Sequence, residues 1–160
     1  MTIQELDTGE ETHIAQRLFE CCGSNNWVKH MLATRPFRNQ TRLETQSSEI
    51  WLSLTPADWL EAFSKHPKIG EKGNVSQWSA QEQSGMSSAA HQTAAKLADL
   101  NRLYFAKFGW IFIVCATGKS ADEMLSLLES RLPNNPDVEL PIAVAEQNKI
   151  TLLRLRKLLS

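Results

Sequence analysis

The sequence predicts an all-α fold, read as a single domain over residues 1–160 with about six to eight helices. Three observations predict it. Apolar residues recur at three- and four-residue spacing through most of the chain. Caps of the Ser/Thr-x-x-Asp/Glu type stand before several of those stripes. One run, "WIFIVCA" at 110–116, is apolar on every side and reads as a buried extended segment, but it has no second strand to pair with, which argues against a sheet.

The elements follow in chain order. "ETHIAQRLFECC" places Ile14, Leu18 and Cys21/Cys22 on one face, with Gly23 as the stop. "WVKHMLATRP" is a short amphipathic piece ended by Pro36, and "EIWLSL" extends a helix rising from the polar "NQTRLETQSS". In "LTPADWLEAFSKHP", Thr55 is the N-cap, Pro56 suits the first helical position and Asp58 the third. Trp59, Leu60 and Phe63 form its buried stripe, and it should stop by Lys65 or His66, because a residue before proline is pushed out of the α region. The longest pattern, "WSAQEQSGMSSAAHQTAAKLADLNRLYFAKFG", opens on a Ser79/Glu82 capping box and ends at Gly109. Its stripe is Ala90, Ala94, Leu97, Leu100/Asn101 and Tyr104. "KSADEMLSLLESRLP" repeats the Ser120/Glu123 cap ahead of Met124, Leu125, Leu127, Leu128 and Leu132. The last helix starts near Asn135. Pro141 lies in its first turn if the helix begins near Val138 and otherwise kinks it.

Composition excludes several function classes. With 42% hydrophobic and 22% charged residues and a net charge of −1, the chain advertises neither a nucleic acid nor an anionic membrane as partner. No run approaches the ~20 apolar residues of a membrane-spanning helix, and the first residues lack the pattern of a signal peptide. Three cysteines, two of them adjacent, fit a reducing cytoplasm better than a disulfide framework. With no CxxC or HExxH and no histidine–carboxylate cluster at ligand spacing, no metal is expected.

Some signals mislead. "ATGKS" resembles the end of a phosphate-binding loop, but the required earlier glycine is Ile113, so the stretch is a loop feeding the Ser120 cap. His13, His30 and His91 lie inside helical patterns without ligand partners and read as surface or satisfied structural histidines. Cys115 reads as a small core residue.

His66 differs. It sits before Pro67 at a helix end, and Ile69 and Gly70 complete a stiffened corner. An imidazole with an ordinary pKa of about 6.5 exchanges protons at neutral pH, although a helix-terminal histidine needs no function. Glu82 fills a capping position, where it also aims a carboxylate out of a helix N-terminus. Leu152, Leu153, Leu155, Leu158 and Leu159 surround the last helix, so one of Arg154 and Arg156 is expected to approach the apolar side and to need an anionic partner or ligand there.

"HPKIG", "WSAQEQSG", "FGWIFIVCATGKSADEMLSLLESRL" and "AEQNKITLLRLRKLL" together resemble the decarboxylases of 2-oxo-4-hydroxy-4-carboxy-5-ureidoimidazoline (OHCU), which act in urate breakdown. The resemblance covers essentially the whole chain. It implies an all-α bundle, usually a homodimer, acting without a cofactor on a small-molecule substrate. It puts the catalytic histidine on His66, beside Pro67, and assisting groups on Glu82 and Gln83, with Ser79 nearby. Backbone groups of Ile111, Phe112, Ile113, Val114 and Cys115 would line the site, and Arg154, rather than Arg156, would hold the anionic substrate. The sequence departs from the family at Trp110–Ile111, where Phe-Pro is frequent, and at Pro141. The competing reading is a non-catalytic all-α interaction module.

Overall fold

The computed structural model describes residues 1–67 and 88–160. Among these residues there are eight α-helices and no strand. They are α1 (Ile3–Thr8), α2 (Glu11–Cys21), α3 (Asn25–Ala33), α4 (Gln40–Ser53), α5 (Pro56–Ser64), α6 (Ser88–Phe108), α7 (Ala121–Arg131) and α8 (Pro136–Leu159). The predicted all-α class is borne out. The chain divides into two compact units, Met1–Lys65 with Val144–Ser160, and His66–Ala143.

In the first unit α3 packs against α2, α4 and α5. The core is built from Leu6, Ile14, Leu18, Trp27, Met31, Phe37, Leu43, Trp51, Phe63 and Leu155, all essentially inaccessible to solvent. Burying an indole requires a partner for its N–H. Trp27 Nε1 donates to the Ser47 carbonyl at 3.3 Å, Trp51 Nε1 to that of Val144 at 2.9 Å, and Trp59 Nε1 to that of Trp51 at 2.9 Å. Helix α1 was not anticipated. A reciprocal Thr2/Glu5 capping box starts it, Leu6 is buried, and Asp7 accepts from the backbone N–H groups of Phe37 (2.6 Å) and Arg38 (2.9 Å).

The expected caps of α5 are present. Thr55 and Asp58 form a capping box with Pro56 in the first turn, and the helix closes at Lys65. Its buried stripe differs from expectation: Ala62 and Phe63 are buried and Trp59 is half-buried, whereas Leu60 is 38% exposed. At about 100° per residue, Trp59, Phe63 and Ala62 share one arc of the helix and Leu60 falls beyond its edge, so the buried stripe runs through Ala62 rather than Leu60.

In the second unit α6 packs on α7. Leu97, Asn101 and Tyr104 of the predicted α6 stripe are buried, while Ala90 and Ala94 are half-buried and the buried Thr93 joins the inner face. Gly109 ends the helix at φ +84°, a backbone conformation suited to glycine. Residues 111–116 are neither helix nor strand, as the missing partner strand predicted, and Ile111–Cys115 are all buried. Ser120 caps α7 by accepting from the Glu123 N–H. Helix α8 begins at Pro136, earlier than the Val138 start that would have put Pro141 in the first turn. Pro141 lies inside the helix on an exposed face, where water can satisfy the carbonyl left without its amide. Among the described residues no helix is long and apolar enough to cross a membrane.

Candidate active site

His66 follows the end of α5. That end is fixed within the first unit by polar clamps to the start of α3. The Glu61 carboxylate accepts from the Asn25 backbone N–H at 3.1 Å and from Asn25 Nδ2 at 2.8 Å, and Asp58 accepts from Asn26 Nδ2 at 2.7 Å. The Lys65 N–H then closes the helix onto Ala62 O. Gly23, just beyond α2, lies so close that a Cβ there would stand 2.4 Å from Lys65 Cγ. His66 comes next, half-buried on a bend, followed by an exposed Pro67. His13, His30 and His91 are all exposed, as expected of surface histidines.

The apolar segment expected to line the site belongs to the second unit and is held by cations. Arg131 Nη1 donates to the Ile113 carbonyl at 2.7 Å, and Lys119 Nζ donates to the Cys115 carbonyl at 2.8 Å. The Arg131 guanidinium carbon also stands 4.5 Å from the centre of the Phe112 ring, within cation–π range. On its other edge Arg131 donates to Glu139 Oε2 from Nε at 2.9 Å and from Nη2 at 2.5 Å. Asn134 Nδ2 donates to Glu139 Oε1 at 3.1 Å, the Tyr104 hydroxyl donates to Oε2, and Trp110 Nε1 donates to the Tyr104 oxygen at 3.1 Å. Burial and the neighbouring Glu139 carboxylate push the Tyr104 phenol well above its ordinary value, so it remains a donor.

Sequence reasoning did not single out Arg131 or Glu139. The signal was present: Arg131 lies three residues beyond Leu128 on the stripe of α7, and it is buried with it. The expectation for the C-terminal arginines is corrected. Arg154 and Arg156 are both exposed. Arg156 pairs with Glu44 at 2.6 Å, and Arg154 Nη1 donates to the Glu20 carbonyl at 3.4 Å. Neither is driven to the core, because only Leu155 of the surrounding leucines is fully buried and Leu153 is itself exposed. The buried guanidinium with an anionic partner is Arg131.

Arg154 lies in the first unit, near the end of α2. There, burial raises the Cys21 thiol to about 11 and the Cys22 thiol to about 12. Ile111, Phe112, Ile113, Val114 and Cys115 form one continuous buried stretch of the second unit, which also contains His66 and Pro67. Ser79, Glu82 and Gln83, with the capping box and the Ile69–Gly70 turn, lie outside the described residues. Gly118, at φ +76°, turns the chain from this segment into the Ser120 cap, as expected for the "ATGKS" loop.

A family model described as OHCU decarboxylase matches residues 7–156. The chain belongs to the OHCU decarboxylase family. It is 43% identical over 148 residues to a uric acid degradation bifunctional protein of Arabidopsis thaliana, which covers 88% of this chain and 45% of that protein. A 2-oxo-4-hydroxy-4-carboxy-5-ureidoimidazoline decarboxylase of Amia calva is 32% identical over 131 residues, 78% of this chain and 75% of that one. The crystal structure of an OHCU decarboxylase in the presence of (S)-allantoin superimposes with a TM-score of 0.78 at 38% identity, covering 94% of this chain and 99% of the other. The chain spans less than half the length of the bifunctional relatives it matches, 45%, 31% and 32% of them.

Proposed function

We propose that this chain decarboxylates OHCU to (S)-allantoin and CO2 in urate catabolism, without a cofactor, as a carbon–carbon lyase. The observation that carries the proposal is the likeness, along nearly its whole length, to an OHCU decarboxylase solved with (S)-allantoin.

The substrate carries a carboxylate and a hydroxyl on one ring carbon, beside a C=N carbon that bears the ureido group. When the bond to CO2 breaks, its electron pair passes into the ring and the neighbouring imine accepts it, taking up one proton. The hydroxyl then gives up its proton as that carbon becomes a carbonyl, and the adjacent carbon is protonated on one face. His66 is assigned to proton transfer at the hydroxyl or the carbon. Glu82 orients the imidazole, and Gln83, with Ser79 nearby, hydrogen-bonds the ureido or ring amide groups. Pro67 stiffens the corner that carries His66. Backbone groups of Ile111–Cys115 line the floor, and Arg154 offers a planar fork to substrate oxygens. As an exposed arginine whose Nη1 makes a long bond to a carbonyl, Arg154 retains donors for such a ligand. The whole chain is read as one functional domain acting as a homodimer.

Freshly generated OHCU mixed with the protein tests this, followed by ultraviolet absorbance and circular dichroism. Accelerated formation of dextrorotatory allantoin is expected. Decay at the buffer rate overturns the proposal and leaves the interaction module. Light scattering should give twice the 18.0 kDa chain mass.

A further inference from the structure

A buried stretch of chain outside helix and sheet must find partners for its backbone one group at a time. At Ile111–Cys115 two carbonyls are taken by side-chain cations, Ile113 O by Arg131 and Cys115 O by Lys119. Arg131 does more than satisfy one oxygen. It lies over the Phe112 ring and is itself held on its far edge by Glu139. The same carboxylate accepts from Tyr104, whose oxygen receives the Trp110 indole N–H. A single carboxylate therefore ties down the segment at Trp110 through one path and at Phe112–Ile113 through another.

A buried ion pair is a poor way to gain stability, since apolar residues of similar volume often serve as well. What they cannot do is hold a carbonyl at a fixed point. We propose that Arg131 and Glu139 are positioning residues for the decarboxylation: they fix the backbone of Ile111–Cys115 so that its polar groups meet the substrate in one geometry. This rests on the proposed function. Lysine could pair with Glu139, but its ammonium cannot grip that carboxylate on one edge and Ile113 O on the other as a planar guanidinium does.

The test compares the full chain with Arg131→Lys and with a double variant, Arg131→Met plus Glu139→Leu. Two quantities are measured: hydrogen exchange of the 111–116 amides without substrate, and kcat and KM for OHCU. In variants that melt near the wild-type temperature, exchange of this segment is expected to quicken about tenfold or more. The value of kcat/KM is expected to fall by roughly 10–100-fold, as for other sub-ångström to 1 Å misplacements. A role in stability alone would leave both unchanged once the fold is intact. If the double variant does not fold, Arg131→Lys carries both readouts. Unchanged exchange and unchanged kinetics in a folded variant overturn the inference. Should the wild-type chain fail to accelerate OHCU decay, the decarboxylase reading falls, while the exchange comparison still decides the anchoring: unchanged rates refute it and faster rates support it.

Discussion

Arg131 places two donors on one oxygen of Glu139, Nε at 2.9 Å and Nη2 at 2.5 Å, with 8% of one side chain and none of the other exposed. Removing only the cation strands a carboxylate in the core. Arg131→Ala is therefore expected to cost about 3–5 kcal/mol, whereas a matched apolar pair at both positions is expected to cost less, its loss set by the Ile113 carbonyl and the Tyr104 hydroxyl left without partners. Urea unfolding of the three proteins checks this. Arg156→Ala, which breaks the solvent-facing pair with Glu44, should cost a small fraction as much. Equal losses at Arg131 and Arg156 would show that burial does not set the cost.

His66→Asn should leave the melting temperature nearly unchanged, because α5 is already closed by Lys65 and His66 is half-buried. Turnover of OHCU should drop at least ~10²-fold, the low end of general acid–base assistance. Near-normal turnover in a folded His66→Asn protein would remove the histidine from the mechanism.

The thiols of Cys21, Cys22 and Cys115 are all buried. They should react slowly with an aromatic disulfide reagent at pH 8 in the native protein and fully in urea. Burial raises Cys21 to about 11 and Cys22 to about 12, against an ordinary value of 9.0. Below pH 9 both states keep these protons, so the stability is fully present. Above it the unfolded chain ionises first, and stability should fall as the pH rises from 9 towards 11–12. Cys22→Ala should blunt that alkaline slope; a slope unaltered by the substitution would assign it to other groups.

Gly23 and Lys65 offer a mutational cycle. Gly23→Ala brings a methyl group to 2.4 Å from Lys65 Cγ and 2.9 Å from Lys65 Cβ. These are the inner atoms of the side chain, so the end of α5 must move. A cost of about 1–3 kcal/mol is expected, with a loss of kcat/KM because His66 is the next residue. Adding Lys65→Ala removes the closer clash and should recover part of both. Additive losses in the double variant would mean the two residues do not interact.

Much of this fold was legible because it is written in local chemistry. Thr55, Pro56 and Asp58 marked the start of α5, Ser120 that of α7, and Gly109 the end of α6, each through a cap that depends on a few neighbouring residues. Helix α1 escaped because six residues are too few to form a helix alone. Its stability comes from Asp7 reaching Phe37 and Arg38, some thirty residues away in sequence. Charged residues were the least legible. Leucines around Arg154 and Arg156 pointed inward by number, yet the helix has enough exposed surface for both. Arg131 continues the stripe of α7 past Leu128, but only the fold brings Glu139, Tyr104 and Ile113 to it. The proposed site rests on motifs, and spacing in sequence fixes no distance between His66 and Arg154.

The segment Trp110–Ala116 opens on five residues of high β-propensity and has no charge, no proline and no glycine. That is the composition of a steric-zipper core, the kind that seeds cross-β fibrils when its edges are free. Here it pairs with no strand among the described residues. The guanidinium on Ile113 O and the ammonium on Cys115 O thus occupy acceptors that a neighbouring molecule would otherwise recruit. Two cations thereby cap acceptors of an adhesive heptapeptide, and loss of either is expected to make the protein more prone to aggregate.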